Sequence, residues 1–364
     1  MKKLRLPALL LALILLFSLT ACTQEEATDP TSTPEITEAP TQEPSAAPTQ
    51  EPEESEAPDS TDPDSLVRLA VLSGPTGVGA AKLLDYVDNG PLDSLHTRYE
   101  YTISNDNSEL VAGLTSGELD IATMASNMAV NLYNKTDGGV KIIAVGTLGV
   151  LNILEGGGNS DINSIADLAG RTIYSAGQGA NPEYILRYLL QANDVADDVE
   201  VVFADASEIS AKLLAGEIEC AMLPVPAATA AIAKGEGQVR AAIDVTDAWD
   251  ALQSGSQLVM TAVVARTDFV EAHPEQVEAF LTDYEASISF VNEASDEAAE
   301  IIAAHGLTPS AGIAKLAIPQ CHLVYLAGVD MVASISDYYA TLYSIDPAAV
   351  GGALPDDGIY WMGR

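Results

Sequence analysis

A stretch of seventeen residues occurs twice in the sequence. Residues 108–124 (SELVAGLTSGELDIATM) align without a gap with residues 207–223 (SEISAKLLAGEIECAML), with seven identical positions at an offset of 99 residues. Each copy predicts a helix, a glycine at its C-terminal cap and then a short strand. Two strand–turn–helix units also match, one with its helix from Gly77 and the other with its helix from Asn181. The repeat is too long for a solenoid, so we predict two lobes of the same doubly wound α/β topology. The alternative is that unrelated βαβ units share this composition.

Apolar patterns predict the main elements of these lobes. The runs at residues 67–72, 142–145 and 258–264 are continuous and β-rich, which is typical of strands buried on both faces of an α/β sheet. Residues 275–293 carry apolar side chains at helical spacing and predict an amphipathic helix with one buried stripe.

The first 22 residues resemble a bacterial lipoprotein signal. Lys2, Lys3 and Arg5 precede an apolar run, and small residues stand directly before Cys22. We predict that Cys22 is acylated and holds the protein on the outer side of the cell membrane. An ordinary signal peptide or a signal anchor is the alternative. No later segment has eighteen consecutive apolar residues, so no further transmembrane segment is expected.

Residues 23–65 have a different composition. They contain 13 acidic residues and 8 of the 19 prolines, without a single Lys, Arg or aromatic residue. Such a segment cannot bury enough apolar surface to order itself, and its like charges keep it extended. We predict a disordered acidic tether.

Charge restricts the partners of the chain. The net charge is −37, and residues 66–364 alone have 40 acidic against 13 basic residues. Nucleic acid is excluded as a partner, because phosphate contacts need clustered Lys and Arg. Hydrophobic residues make up 48% of the chain, which is enough for a large core.

Four turns are predicted to border a ligand cleft. In open α/β sheets, ligands bind beyond the carboxyl ends of the strands, where the next helices begin. The turns lie at residues 73–77, 125–127, 176–182 and 224–226. Their candidate binding residues, with a nearby tyrosine, are Pro75, Thr76, Gly77, Ser126, Asn127, Tyr174, Gln178, Asn181, Pro224 and Pro226.

Structural roles are the alternative for most of these residues. Ser126, Asn127 and Asn181 are also good N-caps. Thr76 and Gln178 have less structural reason to be there, because flanking glycines already make their turns. Tyr174 and Tyr184 could grip a heteroaromatic ring or simply pack.

The order of several short motifs resembles one family. From about residue 66 to residue 364 the chain is similar to extracytoplasmic solute-binding proteins of ABC importers, of the NMT1/THI5-like type for nitrate, taurine, sulfonates and pyrimidine precursors. The motifs are GPTG at 74–77, LDIA at 119–122, VGTLGV at 145–150, IADLAGRTIY at 165–174 and LPDD at 354–357. Family members commonly have an acidic residue between two prolines in the fourth turn. Val225 stands there in this chain.

The resemblance implies a fold and a mechanism. The fold is a type II periplasmic-binding-protein fold, with a signal at 1–22, a tether at 23–65, the first lobe at 66–150 and 261–364, and the second lobe at 151–260. It adds Gly149, near a segment that crosses between lobes, to the binding residues. The lobes would close on a small solute and deliver it to ABC permease subunits, as a monomer and without a cofactor.

The charge also bears on the solute. None of the four turns contains Arg or Lys, so a neutral or weakly basic organic solute is favoured and a sulfonate is the alternative. Enzyme motifs are absent from the sequence: it has no phosphate-binding loop, no complete dinucleotide fingerprint and no Gly-x-Ser-x-Gly elbow. The four histidines lack metal-ligand spacing.

Two cysteines remain besides Cys22. Cys220 and Cys321 could form a disulfide, but two buried thiols are favoured. We therefore predict a binding protein. A lipid-anchored sensor and a pyrimidine-synthase-like enzyme of the same fold stay open as alternatives.

Overall fold

The computed structural model describes residues 66–91, 93–252 and 255–363. The predicted signal, Cys22 and the predicted tether lie outside these residues. Within the described part, no helix is both long enough and apolar enough to cross a membrane.

Eleven strands and twelve α-helices are described. The strands are β1 (Leu66–Leu72), β2 (Arg98–Ser104), β3 (Ile121–Ala125), β4 (Val140–Thr147), β5 (Leu151–Glu155), β6 (Thr172–Ser175), β7 (Glu200–Phe203), β8 (Cys220–Pro224), β9 (Arg240–Asp244), β10 (Thr261–Arg266) and β11 (Leu323–Leu326). The helices are α1 (Pro75–Asn89), α2 (Asn107–Ser116), α3 (Ser126–Lys135), α4 (Asn181–Ala192), α5 (Ala206–Leu214), α6 (Ala227–Lys234), α7 (Val245–Asp250), α8 (Thr267–Ala272), α9 (Pro274–Glu293), α10 (Ser295–Ala304), α11 (Ala311–Ala317) and α12 (Gly328–Ile345).

The strands form two sheets of matching design. The larger has the order β11-β4-β10-β3-β1-β2, and the smaller has the order β7-β6-β8-β5-β9. In the larger sheet β1 pairs in parallel with β2 and β3, while β10 runs antiparallel between β3 and β4. In the smaller sheet β6 pairs in parallel with β7 and β8, while β5 runs antiparallel between β8 and β9. The predicted fold class, two α/β lobes with mainly parallel sheets, is confirmed; each sheet with its helices is called a lobe below.

The internal repeat is confirmed as a structural repeat. Its first copy forms α2 and β3, and its second copy forms α5 and β8. Gly117 and Gly216, which stand at the same place in the two copies, follow these helices with positive φ angles of 77° and 70°. Glycine adopts this left-handed conformation without the steric cost that a side chain brings.

Several predicted boundaries need correction. The helix expected from Gly77 starts at Pro75, since proline fits the first turn of a helix. The strand expected from residue 258 starts only at Thr261. The strands at 67–72 and 142–145 and the helix at 275–293 are confirmed. The predicted lobe limits stay predictions.

Each sheet has a buried carboxylate at the edge away from the four turns. In the larger sheet, Asp120 accepts hydrogen bonds from Arg68 Nε at 2.8 Å, from the Arg68 backbone N at 2.9 Å and from Arg266 Nη2 at 3.1 Å. In the smaller sheet, Glu155 accepts from Arg240 Nε at 3.0 Å and from the backbone N of Asp161 at 3.0 Å. Asp120 and Glu155 are each 1% exposed. A buried charge needs a partner, and the arginine contacts supply it here.

Candidate functional site

The four predicted turns lie where strands end and helices begin. β1, β3, β6 and β8 run into α1, α3, α4 and α6 through these turns. Because β1 and β3 point in one direction, their carboxyl ends share one edge of the larger sheet, and β6 and β8 do the same in the smaller sheet. The helix N-termini of each lobe therefore gather at one edge.

Asn181 joins the two lobes at this place. It is the first residue of α4 and fully buried, and its Nδ2 donates to Ser126 Oγ at 3.0 Å and to the Met260 carbonyl at 2.7 Å. Its Oδ1 accepts a hydrogen bond from Tyr338 OH at 3.0 Å. Burial raises the pKa of Tyr338, so the hydroxyl stays protonated and donates. These three side-chain hydrogen bonds of Asn181 lead to the other lobe or to the segment before β10, which belongs to the larger sheet.

Ser126 is held from two further directions. Its hydroxyl donates to the Val259 carbonyl at 2.5 Å, and its own carbonyl accepts from Tyr339 OH at 2.8 Å. In the described part of the chain, neither α3 nor α4 has a side-chain N-cap hydrogen bond, since the caps are Ala125 and Ala180. The capping alternative for Ser126, Asn127 and Asn181 is therefore wrong.

Asn127 also reaches across to the other lobe. Its Nδ2 donates to the Gly179 carbonyl at 3.2 Å, and the residue is fully buried. Its Oδ1 has no hydrogen-bond partner among residues 66–91, 93–252 and 255–363. We call Ser126, Asn127, Gly179 and Asn181 the junction group.

The first turn packs more tightly than its sequence suggests. Thr76 is 1% exposed, and its hydroxyl donates to the Leu72 carbonyl at 2.7 Å. A Cβ at Gly77 would come within 2.5 Å of Leu307 Cδ2, and Pro75 starts α1. Thr76 and Gly77 thus have structural roles, although in the sequence Thr76 has less structural reason to be in this turn than its neighbours.

Gln178 is exposed in the turn beside the junction group. The turn needs glycine at Gly177, which has a φ of 86° and where a Cβ would lie 2.7 Å from Pro182 Cγ. The next glycine supplies the carbonyl that Asn127 binds. Gln178 is the side chain of this turn that is open to solvent.

Tyr174 lies apart from the junction group. It is on β6, and Lys212 Nζ of α5 is 5.7 Å from the centre of its ring. The ring packs on the apolar cluster beneath α5, which includes Ile209 and Leu213. Side chains alternate between the two faces of a strand, and Tyr174 lies on the face that packs on α5. The structure does not bring Tyr174 to the site for which it was predicted.

Gly149, Pro224 and Pro226 lie together at the crossing between the sheets. Pro224 is the register partner of Leu151, and the Val225 backbone N donates to the Val150 carbonyl at 2.9 Å. The Val225–Pro226 peptide bond is cis. The Gly149 carbonyl contacts the ring of His322. A cavity of about 80 Å³ adjoins this crossing and is lined in part by Gly149, Thr246, Gln320 and His322.

The contacts that side chains of α7 and α12 make between the lobes were not predicted from the sequence. Trp249 is fully buried, with its ring centre 4.9 Å from that of Tyr188 in α4 and 5.8 Å from that of Tyr338 in α12. Arg187 Nη1 contacts Asp346 Oδ2 at 2.8 Å, just beyond α12. Trp249 and Tyr338 are 89 residues apart, and Arg187 and Asp346 are 159 residues apart. No local pattern in the sequence marks such pairs.

Two threonines at the same edge were also missed. Thr147 ends β4 and Thr261 begins β10, and the two are register partners; Thr261 is also the partner of Ala125, which directly precedes α3. Both are buried, and neither hydroxyl has a hydrogen-bond partner among the residues that the structure describes.

Comparisons with known proteins agree with this architecture. The model of the family described as NMT1/THI5 like matches residues 100–298. An ABC transporter structure from Parabacteroides distasonis is 25% identical, with a TM-score of 0.66 over 81% of this chain and 98% of that chain. The periplasmic aliphatic sulphonate binding protein of Escherichia coli is 14% identical, with a TM-score of 0.66 over 82% of this chain and 93% of that chain. The periplasmic nitrate-binding protein of Synechocystis is 14% identical, with a TM-score of 0.51 over 73% and 74%. The comparison with curated proteins finds no match.

Proposed function

The chain belongs to the NMT1/THI5-like family, and we propose that it is the substrate-binding component of an ABC importer. The structural neighbours support this proposal, since one is described as an ABC transporter and two others as periplasmic sulphonate- and nitrate-binding proteins. The solute would bind between the lobes, which would comprise residues 66–150 with 261–364 and residues 151–260. The N-terminal signal and Cys22 would anchor the protein outside the cytoplasm, and residues 23–65 would give it reach to the permease.

The junction group is the observation that carries the proposal. It places buried polar side chains of both lobes at the edges where four helices begin, and two of its side chains bond from one lobe to the other. Such contacts form when the lobes are together and break when they separate, so a solute that adds further contacts there shifts the population toward closure.

The two thiols support binding over chemistry. Cys220 and Cys321 are buried and free, as expected. Burial raises the pKa of each of these two thiols to about 12. At neutral pH they are protonated and poor nucleophiles. Within the described residues, no group of three or more His, Cys, Asp or Glu side chains is placed to hold a metal ion.

Solute capture is tested with the full-length protein and a bacterial metabolite extract. After incubation and washing, the protein is denatured and the released small molecules are identified by mass spectrometry. We expect one or a few retained solutes. At about 100 times its Kd, such a solute adds about 2.7 kcal/mol to the free energy of unfolding and raises Tm by roughly 5 °C. No retained solute and no rise in Tm with the extract would overturn the proposal.

Import and sensing are separated by the partner. A permease and an ATPase encoded beside this gene, and co-purification of the permease with the solute-loaded protein, favour import. A neighbouring kinase favours the sensor alternative.

A further inference from the structure

One buried polar atom of the junction group is left without a partner. Asn127 Oδ1 meets no donor within the described ranges, although Asn127 is fully buried. Leaving a buried carbonyl oxygen unpaired is unfavourable, so native proteins supply a partner from the protein, a water molecule or a ligand.

The orientation of this amide is fixed by its neighbour. Asn127 Nδ2 donates to the Gly179 carbonyl at 3.2 Å, and a flipped amide would place two oxygen acceptors against each other. The backbone carbonyl of Asn127 is already bonded, because it accepts from Asn131 Nδ2 at 2.8 Å. The free atom is therefore the side-chain oxygen, which can only accept.

The other unpaired groups nearby do not set this requirement. Thr147 Oγ1 and Thr261 Oγ1 belong to hydroxyls, which can rotate to donate or to accept. They lie at the strand ends next to α3, as the partnership of Thr261 with Ala125 shows. Of these three unpaired groups, only Asn127 Oδ1 therefore requires a donor.

Charge near the junction agrees with this polarity. Arg187, the cation of α4, is engaged with Glu183 at 3.0 Å and with Asp346 at 2.8 Å. Residues 66–364 carry 40 acidic against 13 basic residues, so the net charge of this part of the chain disfavours an anion.

We infer, resting on the solute-binding function proposed above, that the solute donates a hydrogen bond from an N–H or O–H group to Asn127 Oδ1. The solute class is thus a neutral or cationic donor such as an amine, an amide or an N–H heteroaromatic compound. An oxyanion without a donor, such as nitrate or an alkanesulfonate, leaves Asn127 Oδ1 unpaired and also places negative charge beside the partially negative amide oxygen.

Matched ligand pairs test this inference on the full-length protein. The pairs are taurine with ethanesulfonate, 1-methylcytosine with its N4,N4-dimethyl derivative, and benzamide with N,N-dimethylbenzamide, with nitrate as a further donor-free probe. Calorimetry gives the Kd of each compound for the wild type, for Asn127→Ala and for Asn134→Ala. Asn134 is the matched control, because it lies on the same helix but bonds the Val350 and Ala353 carbonyls instead of the other lobe.

The ratio of the two Kd values within a pair is the decisive readout. We expect the donor-bearing compound of the binding pair to bind about tenfold more tightly to the wild type and to Asn134→Ala, and the ratio to fall to about one in Asn127→Ala. A merely structural role of Asn127 would weaken both members equally and leave the ratio unchanged, which overturns the inference.

The remaining outcomes separate this inference from the proposed function. If ethanesulfonate or nitrate binds as tightly as the donor-bearing probes, or if the solute retained from the extract has no donor, the inference is wrong and the solute-binding function stands. If no probe binds and no solute is retained, the proposed function is overturned and the inference with it.

Discussion

Replacing Asn181 by alanine is expected to lower the free energy of unfolding by about 2–4 kcal/mol and to weaken solute binding about tenfold. The substitution removes two donated bonds and one accepted bond. It leaves Tyr338 OH buried without its partner, while the Met260 carbonyl keeps only the bond from the Ser126 backbone N. Because these bonds join the two lobes, their loss also lowers the population of the closed form that binds solute. Urea unfolding measures the first effect, and calorimetry with the retained solute measures the second.

Asn193→Ala is the control for this prediction. Asn193 follows the same helix, α4, but its Nδ2 donates only locally, to the Leu189 carbonyl at 2.8 Å. We expect a loss of no more than about 1 kcal/mol and an unchanged solute Kd. Equal losses of stability and affinity in the two variants would contradict the prediction, because the bonds of Asn181 between the lobes would then contribute no more than a local bond.

Replacing Asp120 by asparagine is expected to destabilise the first lobe by about 2–4 kcal/mol at neutral pH. The side chain keeps its shape but loses its charge, so the guanidinium groups of Arg68 and Arg266 remain without the buried carboxylate that both contact. Arg68 is partly exposed, which places the expected loss below that of a wholly buried pair.

The difference between wild type and Asp120→Asn depends on pH. Burial alone would raise the pKa of Asp120, but the hydrogen bonds from Arg68 and Arg266 outweigh burial and hold this pKa below its ordinary value of 3.8. The stabilisation is therefore complete above the unfolded pKa, and it is lost as pH falls through the lower folded value. Urea unfolding from pH 7 downwards should show a constant difference that shrinks only below about pH 4.

Asp268→Asn is the control for the Asp120 prediction. Asp268 contacts the same Arg266 at 2.8 Å, but its side chain is 73% exposed. An exposed pair contributes about 0–1 kcal/mol, so a small effect is expected. A loss for Asp120→Asn that is equally small, or that persists undiminished to pH 3, would contradict the role given to the buried carboxylate.

Local sequence patterns predicted the repeated architecture well. The copies at 108–124 and 207–223 each encode a helix, a left-handed glycine and a strand, and all three follow from neighbouring residues. The positions of the four turns follow in the same way, because each begins where an apolar run ends. The starts of α1 and β10 were misplaced by two to three residues, since proline and the register of a neighbouring strand decided them.

The site was predicted less well because its contacts are not local. Ser126 and Asn181 look like N-caps in sequence. In the fold their side chains bond to each other across the lobes instead, and this tertiary contact has no local signal. Tyr338 is 157 residues from Asn181, and no spacing rule links the two. Tyr174 was assigned to the cleft from its place near a strand end, but the face of the strand decided its neighbours.

The position of Trp249 gives this protein a built-in optical reporter. Its indole lies between Tyr188 of one lobe and Tyr338 of the other, and its Nε1 donates to the Ser256 carbonyl at 2.9 Å. Any rotation of one lobe against the other changes the packing around this ring, and with it the polarity that governs its emission. The chain has only one other tryptophan, Trp361, so replacing that residue by phenylalanine leaves Trp249 as the single tryptophan. Solutes can thus be screened by unlabelled fluorescence, with the protein's own side chain as the detector.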